Sequence, residues 1–201
     1  EHGPIGQAEG EQRFFAELTS YYVFAFFLMY ALLAIAFTSY SQPILFLIAI
    51  PFAVVGAVLG HWAMGEVISI FSYFGIAAAA GVVINDNLVL IDYTNRLRER
   101  GLSAVDAIIE AGTARFRPIL LTSVTTIVGL VPLMLERSTQ AAFLKPVAIA
   151  LSFGVGIALF VTLLLVPSLY VIGNDVKGYF ARSKQVYAHI FSKLKSAKSE
   201  T

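Results

Sequence analysis

The stretch Ile68–Ile91 reads ISIFSYFGIAAAAGVVINDNLVLI, and a single charged side chain, Asp86, interrupts its apolar run. About 17–25 mainly apolar residues in an α-helix cross the hydrocarbon core of a membrane, which is about 30 Å thick. A carboxylate at that depth costs about 2.5–3.5 kcal/mol on insertion scales, and it usually faces a bundle interior or an aqueous path. The stretch therefore predicts a membrane helix that handles protons or ions.

The composition extends this prediction to the whole chain. Of the 201 residues, 58% are hydrophobic and 13% are charged, and the mean hydropathy is +0.77. The stretches long and apolar enough to span a membrane are residues 21–37, 44–60, 68–91, 119–135 and 147–172. None alternates apolar and polar residues as the strands of a membrane barrel do. We therefore predict an all-α, polytopic bundle of five transmembrane helices.

The composition also excludes several classes of function. The chain has no cysteine, which rules out disulfides and thiolate metal sites. The sequence contains no His, Asp and Glu cluster of metal-site spacing and no phosphate-binding loop. A net charge of +1 gives no indication of a nucleic-acid partner. We therefore expect a protein that is not an enzyme and has no cofactor, with protons as the coupling ion.

The placement of Lys and Arg predicts the orientation in the membrane. With five spans, 11 of the 14 basic residues fall on the side that carries the C-terminus, which predicts a cytoplasmic C-terminus and an outer N-terminus. The first span is not interpreted as a cleavable signal peptide, since acidic and polar residues precede it and no small-residue cleavage site follows it before Pro43. We therefore expect the C-terminal part of a longer polypeptide, with a five-helix domain at residues 20–173 and a basic cytoplasmic tail at 174–201.

Local motifs predict further features. Ser103 as an N-cap, with Asp106 in the first turn, predicts a short amphipathic helix along the cytoplasmic face that ends at Gly112. Pro51 predicts a kink in the second span. In the tail, three apolar residues on one helical stripe predict a segment that rests among lipid headgroups or, alternatively, a solvated tail. They are Val186, Ile190 and Leu194.

Consecutive polar residues in the third span are the first candidates for chemistry. Asn85, Asp86 and Asn87 spread over about 200° of the helix surface, so they cannot all face one partner. Asp86 falls on one face and Asn85 on an adjoining one. A carboxylate held in this way can load and release protons, and the alternative is a hydrogen bond between helices without proton turnover. Near the cytoplasmic end, Asp92 and Arg96 are spaced for a structural ion pair.

The fourth span supplies hydroxyl groups. Thr122, Thr125 and Thr126 form an i, i+3, i+4 stripe that can hold water for proton transfer. The alternative is that these hydroxyls bond back to the carbonyls of their own helix. Elsewhere, His61 at the outer end of the second span is interpreted as an interfacial residue, and Gly56 and Gly75 begin small-residue motifs that predict close helix packing.

Several longer segments resemble one family, the resistance-nodulation-division (RND) efflux permeases of the AcrB-like kind. The main ones are GVVINDNLVLIDYTNR at residues 81–96, ARFRPILLTS at 114–123 and GLVPL at 129–133. Similar shorter segments are SYSQP at 39–43, IPF at 50–52, QAAFL at 140–144 and LVPSLY at 165–170. Together they cover roughly residues 10–172 in the family's order and spacing.

The resemblance implies that the five spans are the last five of a twelve-helix permease domain, and that residues 1–19 are the exit from a missing periplasmic domain. It implies a homotrimer in the bacterial inner membrane that exchanges protons for amphiphilic substrates. The implied partners are the lipid bilayer, the missing N-terminal half of the permease, a periplasmic adaptor and an outer-membrane channel. The substrate pocket would lie in domains outside this chain.

The resemblance also implies roles for single residues. Asn85 falls where multidrug members place a relay lysine, Thr122 matches a relay threonine, and Arg115 matches an arginine at the cytoplasmic entrance. Because Asn85 cannot replace the charge of a lysine, the neighbouring Asp86 is expected to serve instead. Thr125 and Thr126 give possible support.

The leading hypothesis is a transmembrane fragment of a proton-driven efflux permease that contributes part of the proton relay. The alternatives are a non-transporting assembly subunit of a split transporter, a proton or ion channel, and an intramembrane aspartyl protease. The protease would need a second carboxylate at membrane depth, and Asp92 is a poor one. The channel would need polar residues on several helices, but the first two spans are almost wholly apolar.

Overall fold

The computed structural model describes the backbone of residues 4–138 and 140–176 and the side chains of residues 12–138 and 140–176. Over these residues the secondary structure is helical. The helices are α1 (Pro4–Ala36), α2 (Gln42–Leu47), α3 (Ile50–Met64), α4 (Ile70–Glu99), α5 (Ala104–Leu135) and α6 (Lys145–Phe160). A 3₁₀ turn (Ala141–Phe143) precedes α6, and a π-helical segment (Val161–Leu165) continues it into a last helical stretch, 166–176.

Five helical stretches among the described residues are long and apolar enough to cross a membrane. They are Gln12–Ala36, Gln42–Met64, Ile70–Glu99, Ala104–Leu135 and Ala141–Val176. The predicted all-α fold with five membrane helices is confirmed.

The chain forms two compact units, and the boundary between them lies between Leu47 and Ile48. In the first unit, α1 leaves most of its apolar side chains exposed. The turn after it is held by the Tyr30 hydroxyl, which donates a 2.9 Å hydrogen bond to the Tyr40 carbonyl. The ring of Phe37 lies 4.9 Å from the ring of Phe46 on α2. The exposed apolar surface of α1 is suited to lipid or to another protein.

In the second unit, α6 packs closely against both α3 and α4. A Cβ added at Gly56 would clash with the Phe153 carbonyl, and one added at Gly75 would clash with the Val147 carbonyl. Small residues at these contacts let helix backbones approach closely, which is how membrane helices gain packing energy. The predicted small-residue motifs therefore act at the centre of this unit.

The region before the fourth span differs from the prediction. Ser103 does cap a helix, since its hydroxyl accepts a 3.1 Å hydrogen bond from the Asp106 N–H. That helix does not end at Gly112, however, and α5 continues unbroken to Leu135. The left-handed exit lies instead at Gly101 after α4, with φ of +97°. The prediction of a separate amphipathic helix is therefore wrong, because the backbone of Gly112 is helical and α5 continues through it.

The second span is interrupted, as Pro51 suggested, but the interruption precedes the proline. Helix α2 ends at Leu47, α3 begins at Ile50, and Pro51 lies in the first turn of α3. A proline is tolerated there because the first N–H groups of a helix have no intrahelical partner. The predicted segment with Val186, Ile190 and Leu194 lies outside the described residues.

Candidate functional site

Helix α4 turns the three consecutive polar residues in different directions. Asp86 retains only 8% of its surface exposed and Asn87 is fully buried, whereas Asn85 is exposed. Val83 and Leu90 share the buried side of the helix with Asp86. The expected separation of Asp86 and Asn85 onto two faces is confirmed, and Asp86 lies on the inner one.

The Asp86 carboxylate has no hydrogen bond or ion pair with any described residue. Burial of an isolated carboxylate is costly, whereas the neutral acid costs less to bury. Binding or release of a proton at this position therefore changes the energy of the surrounding helix packing. This is the physical requirement for a group that couples proton transfer to a movement of helices.

The threonines of α5 point to the outside of the described chain or to its edge. Thr122 and Thr125 are exposed and Thr126 is half-buried. Each hydroxyl donates a 2.8 Å hydrogen bond to a carbonyl of its own helix, Thr122 to Pro118, Thr125 to Leu121 and Thr126 to Thr122. The back-bonded arrangement is thus the one found. These oxygens keep lone pairs that can accept a further hydrogen bond.

Arg115 lies where α5 passes the C-terminal part of α4. The centre of its guanidinium group is 5.0 Å from the centroid of the Tyr93 ring, within the range of a cation–π contact. Its Nε atom is buried and has no hydrogen-bond partner among the described residues. On the same end of α4, Asp92 accepts a 2.9 Å hydrogen bond from Arg96, so the predicted ion pair is confirmed.

The predicted relay residues therefore do not form one cluster within this chain. Asp86 is inside, Asn85 and Thr122 are on exposed faces, and Arg115 lies beside Tyr93. No hydrogen bond joins Asp86 to Asn85 or Thr122 in the described part of the chain. The roles assigned to these residues stay predictions.

His61 is the polar residue that the sequence interpretation placed wrongly. It is 2% exposed rather than interfacial. Its Nε2 lies 2.8 Å from the Ser72 Oγ on α4, and its Nδ1 lies 2.8 Å from the Ala57 carbonyl. Ser72 also accepts the Ser69 N–H in a capping box at the start of α4.

Further polar links join α4 to the end of the chain's last span. Arg98 donates a 2.9 Å hydrogen bond to the Asn174 side chain, and the Tyr170 hydroxyl donates a 3.3 Å bond to the Asn95 side chain. The two hydrogen bonds therefore fix the end of the last span against α4. Among the described residues, no group of three or more His, Asp and Glu side chains could hold a metal ion.

Comparisons with known proteins agree with this architecture. The sequence profile described as the AcrB/AcrD/AcrF family matches residues 2–174. Two crystal forms of a heavy metal efflux pump have similar structures. Form II gives a TM-score of 0.74 with 28% identity over 84% of this chain, and form I gives 0.71 with 30% identity over 82%. The chain spans only 16% of the length of either pump chain.

Proposed function

The chain belongs to the AcrB/AcrD/AcrF family, as its resemblance to RND permeases predicted, and from this premise we propose that it forms the membrane-spanning C-terminal half of a proton-driven efflux permease. The observation that carries the proposal is the burial of Asp86, without a partner among the described residues, in a helix that spans the membrane. Ionisable side chains at such positions mark ion and proton pathways.

In the proposed cycle, a proton binds Asp86 from the outer side and leaves towards the cytoplasm. Protonation removes a buried charge, which changes the relative energy of two helix arrangements. A proton that crosses 100 mV supplies about 2.3 kcal/mol, and each pH unit adds about 1.4 kcal/mol. Equilibria between conformations separated by a few kcal/mol can be driven by that amount.

The exposed polar residues support the presence of a second half of the permease. Asn85, Thr122 and Thr125 are exposed, although they lie in membrane-spanning helices. Polar side chains at membrane depth usually face protein or a water-filled cavity. We propose that the N-terminal half covers these faces, and that Thr122, with Thr125 and Thr126, guides the proton between the halves. Arg115 would lie at the cytoplasmic entrance.

Family membership also supports the proposed assembly. The chain would act in the bacterial inner membrane, with its C-terminus in the cytoplasm, as part of a homotrimer. A periplasmic adaptor and an outer-membrane channel would complete the export path. Residues 1–19 would lead out of a periplasmic domain, 20–173 would form the five-helix domain, and 174–201 the cytoplasmic tail.

The exported substrate would be selected outside this chain. The two solved structures are described as crystal forms of a heavy metal efflux pump, whereas AcrB-like sequence motifs suggested amphiphilic compounds. Both classes should therefore be offered in the assay below.

The experiment is a proton-flux assay on the complete permease, reconstituted in liposomes with an imposed pH gradient. Substrate-dependent proton flux should occur and should be lost in Asp86→Asn. Asp92→Asn is the matched control, because Asp92 forms an exposed ion pair with Arg96, and it should keep the flux. Unchanged flux in Asp86→Asn would remove Asp86 from the mechanism. Proton flux without substrate would favour the channel, and no flux would favour the assembly subunit.

A further inference from the structure

A groove of about 610 Å³ lies between the first half of α5 and the π-helical segment that follows α6. Its walls include Ile109 and Phe116 from α5 and Leu163 and Leu164 from the π-helical segment. Among the nine described residues that line it, Arg117 carries the only charge. The groove thus combines an apolar surface with one positively charged side chain, that of Arg117.

Three apolar side chains of the groove walls are exposed. Ile109 is 61% exposed, Phe116 47% and Leu164 67%. Contiguous apolar surface of this kind marks contact with membrane or with another molecule. The π-helical turn adds to the effect, because a π-bulge widens one turn of a helix and is found frequently at functional sites.

In the proposed orientation, Arg117 would lie near the lipid headgroups of the cytoplasmic leaflet. It immediately precedes Pro118 and the apolar run of residues 119–135, which is long enough to enter the hydrocarbon core. Helical side chains lean towards the N-terminus of their helix, which in the proposed orientation is the cytoplasmic side. Arg117 is exposed and forms no hydrogen bond or ion pair with the described residues.

From this geometry we propose that the groove binds an anionic phospholipid of the cytoplasmic leaflet. The guanidinium group of Arg117 pairs with the lipid phosphate, since a planar guanidinium matches phosphate oxygens in a bidentate manner. An acyl chain packs along Phe116, Leu163 and Leu164. Basic pockets between membrane helices on the cytoplasmic side recognise anionic headgroups in this way. The assignment of the leaflet rests on the orientation given under the proposed function.

Lipid selectivity tests the headgroup contact. The reconstituted protein is mixed with spin-labelled phosphatidylglycerol or phosphatidylcholine, and the bound fraction of each lipid is measured by electron paramagnetic resonance. We expect a preference for phosphatidylglycerol of about fivefold, the size expected for one basic residue near an anionic surface. Arg117→Gln should abolish it. Arg100→Gln removes an equal charge from the end of α4, outside the groove, and should leave the preference intact.

The seating of the lipid in the groove is tested by filling the groove beside the headgroup. Gly112 lines the groove and has open space around its missing side chain, so Gly112→Phe should displace the lipid while Arg117 is kept. Gly112→Ala is the matched control and should bind lipid normally. Unaltered phosphatidylglycerol binding in Gly112→Phe, or an equal loss in Arg100→Gln and Arg117→Gln, would overturn the proposal.

The occupant can also be identified directly, because the chain contains no cysteine. A nitroxide attached at Leu164→Cys, on the wall given to the acyl chain, should be relaxed strongly by oxygen, which dissolves in lipid, and weakly by a water-soluble nickel chelate. Weak relaxation by both reagents in the complete permease would mean that protein covers the groove, which would contradict the proposal. None of these measurements involves transport, so their failure is separate from a failure of Asp86 in proton flux.

Discussion

His61 and Ser72 are joined by a 2.8 Å hydrogen bond between Nε2 and Oγ, which links α3 to α4 where both side chains are buried. The Nδ1 atom of His61 faces the Ala57 carbonyl, so in the neutral imidazole Nδ1 carries the proton and Nε2 accepts from the Ser72 hydroxyl. The same Ser72 oxygen accepts the Ser69 N–H at 3.0 Å. The donor and the acceptor of each of these three hydrogen bonds are therefore defined.

Loss of this link should destabilise the fold. We predict that Ser72→Ala lowers the free energy of unfolding by about 1–3 kcal/mol, because the Nε2 of His61 would remain buried without a donor. Denaturant unfolding in detergent gives the value. Ser20→Ala is a suitable control, since the Ser20 hydroxyl is exposed and bonds only to its own helix, and equal effects of the two changes would argue against the link.

Close packing at Gly75 gives a second prediction. Gly75→Ala would place a methyl group against the Val147 carbonyl and the Ala150 side chain, and overpacking of this kind costs about 1–3 kcal/mol. Thermal unfolding, followed by the fluorescence of the single tryptophan, should show a lower midpoint. Gly112→Ala meets open space and should be neutral or stabilising by up to about 1 kcal/mol. If both changes are neutral, the α4–α6 contact is looser than described.

The stability of the turn after α5 should depend on pH. Backbone N–H groups of Ser138 and Arg137 donate to the Glu136 carboxylate at 3.0 and 2.9 Å, and these bonds hold the pKa of Glu136 below its usual range. A lowered pKa in the folded state stabilises the turn above the ordinary Glu pKa of about 4.3, and this contribution is lost as the pH falls through the lowered value.

Hydrogen exchange at the Ser138 amide measures this contribution. Its protection factor should be constant from neutral pH down to the ordinary Glu pKa and should fall only below it. Glu136→Ala should remove the protection at every pH, whereas Glu99→Ala, an exposed residue at the end of α4, should keep it. A loss of protection that begins well above the ordinary Glu pKa would contradict the assignment.

The exposed face around Asn85 gives a fourth prediction. In this cysteine-free chain, Asn85→Cys should react with a membrane-permeant maleimide when the chain is alone. Reaction should be blocked when the N-terminal half is co-expressed, because that half covers the face. Asn87→Cys, at a fully buried position, should react in neither case. Equal reactivity of Asn85→Cys in both samples would mean that this face meets lipid.

The sequence predicted some features well because they depend on local patterns. Apolar length alone gives the five spans, and the 3.6-residue period separates Asp86 from Asn85. The burial of Asp86 agrees with the expectation that a carboxylate at this depth faces a bundle interior, whereas the exposure of Asn85 could not be predicted, because most of its neighbours along α4 are apolar. Gly112 was wrongly interpreted as the end of a helix. Its backbone stays helical, whereas the left-handed backbone that follows a helix end is found at Gly101. His61 was missed because its partner lies on another helix.

Proton binding by Asp86 is measured most directly by infrared difference spectroscopy of the reconstituted permease between two pH values, which detects the C=O stretch of a protonated carboxyl group. We expect a titrating carboxyl band that disappears in Asp86→Asn and persists in Asp92→Asn, with substrate-dependent proton flux lost in the first variant alone. An undiminished band in Asp86→Asn, together with normal flux, would contradict the assignment of Asp86 as the proton carrier.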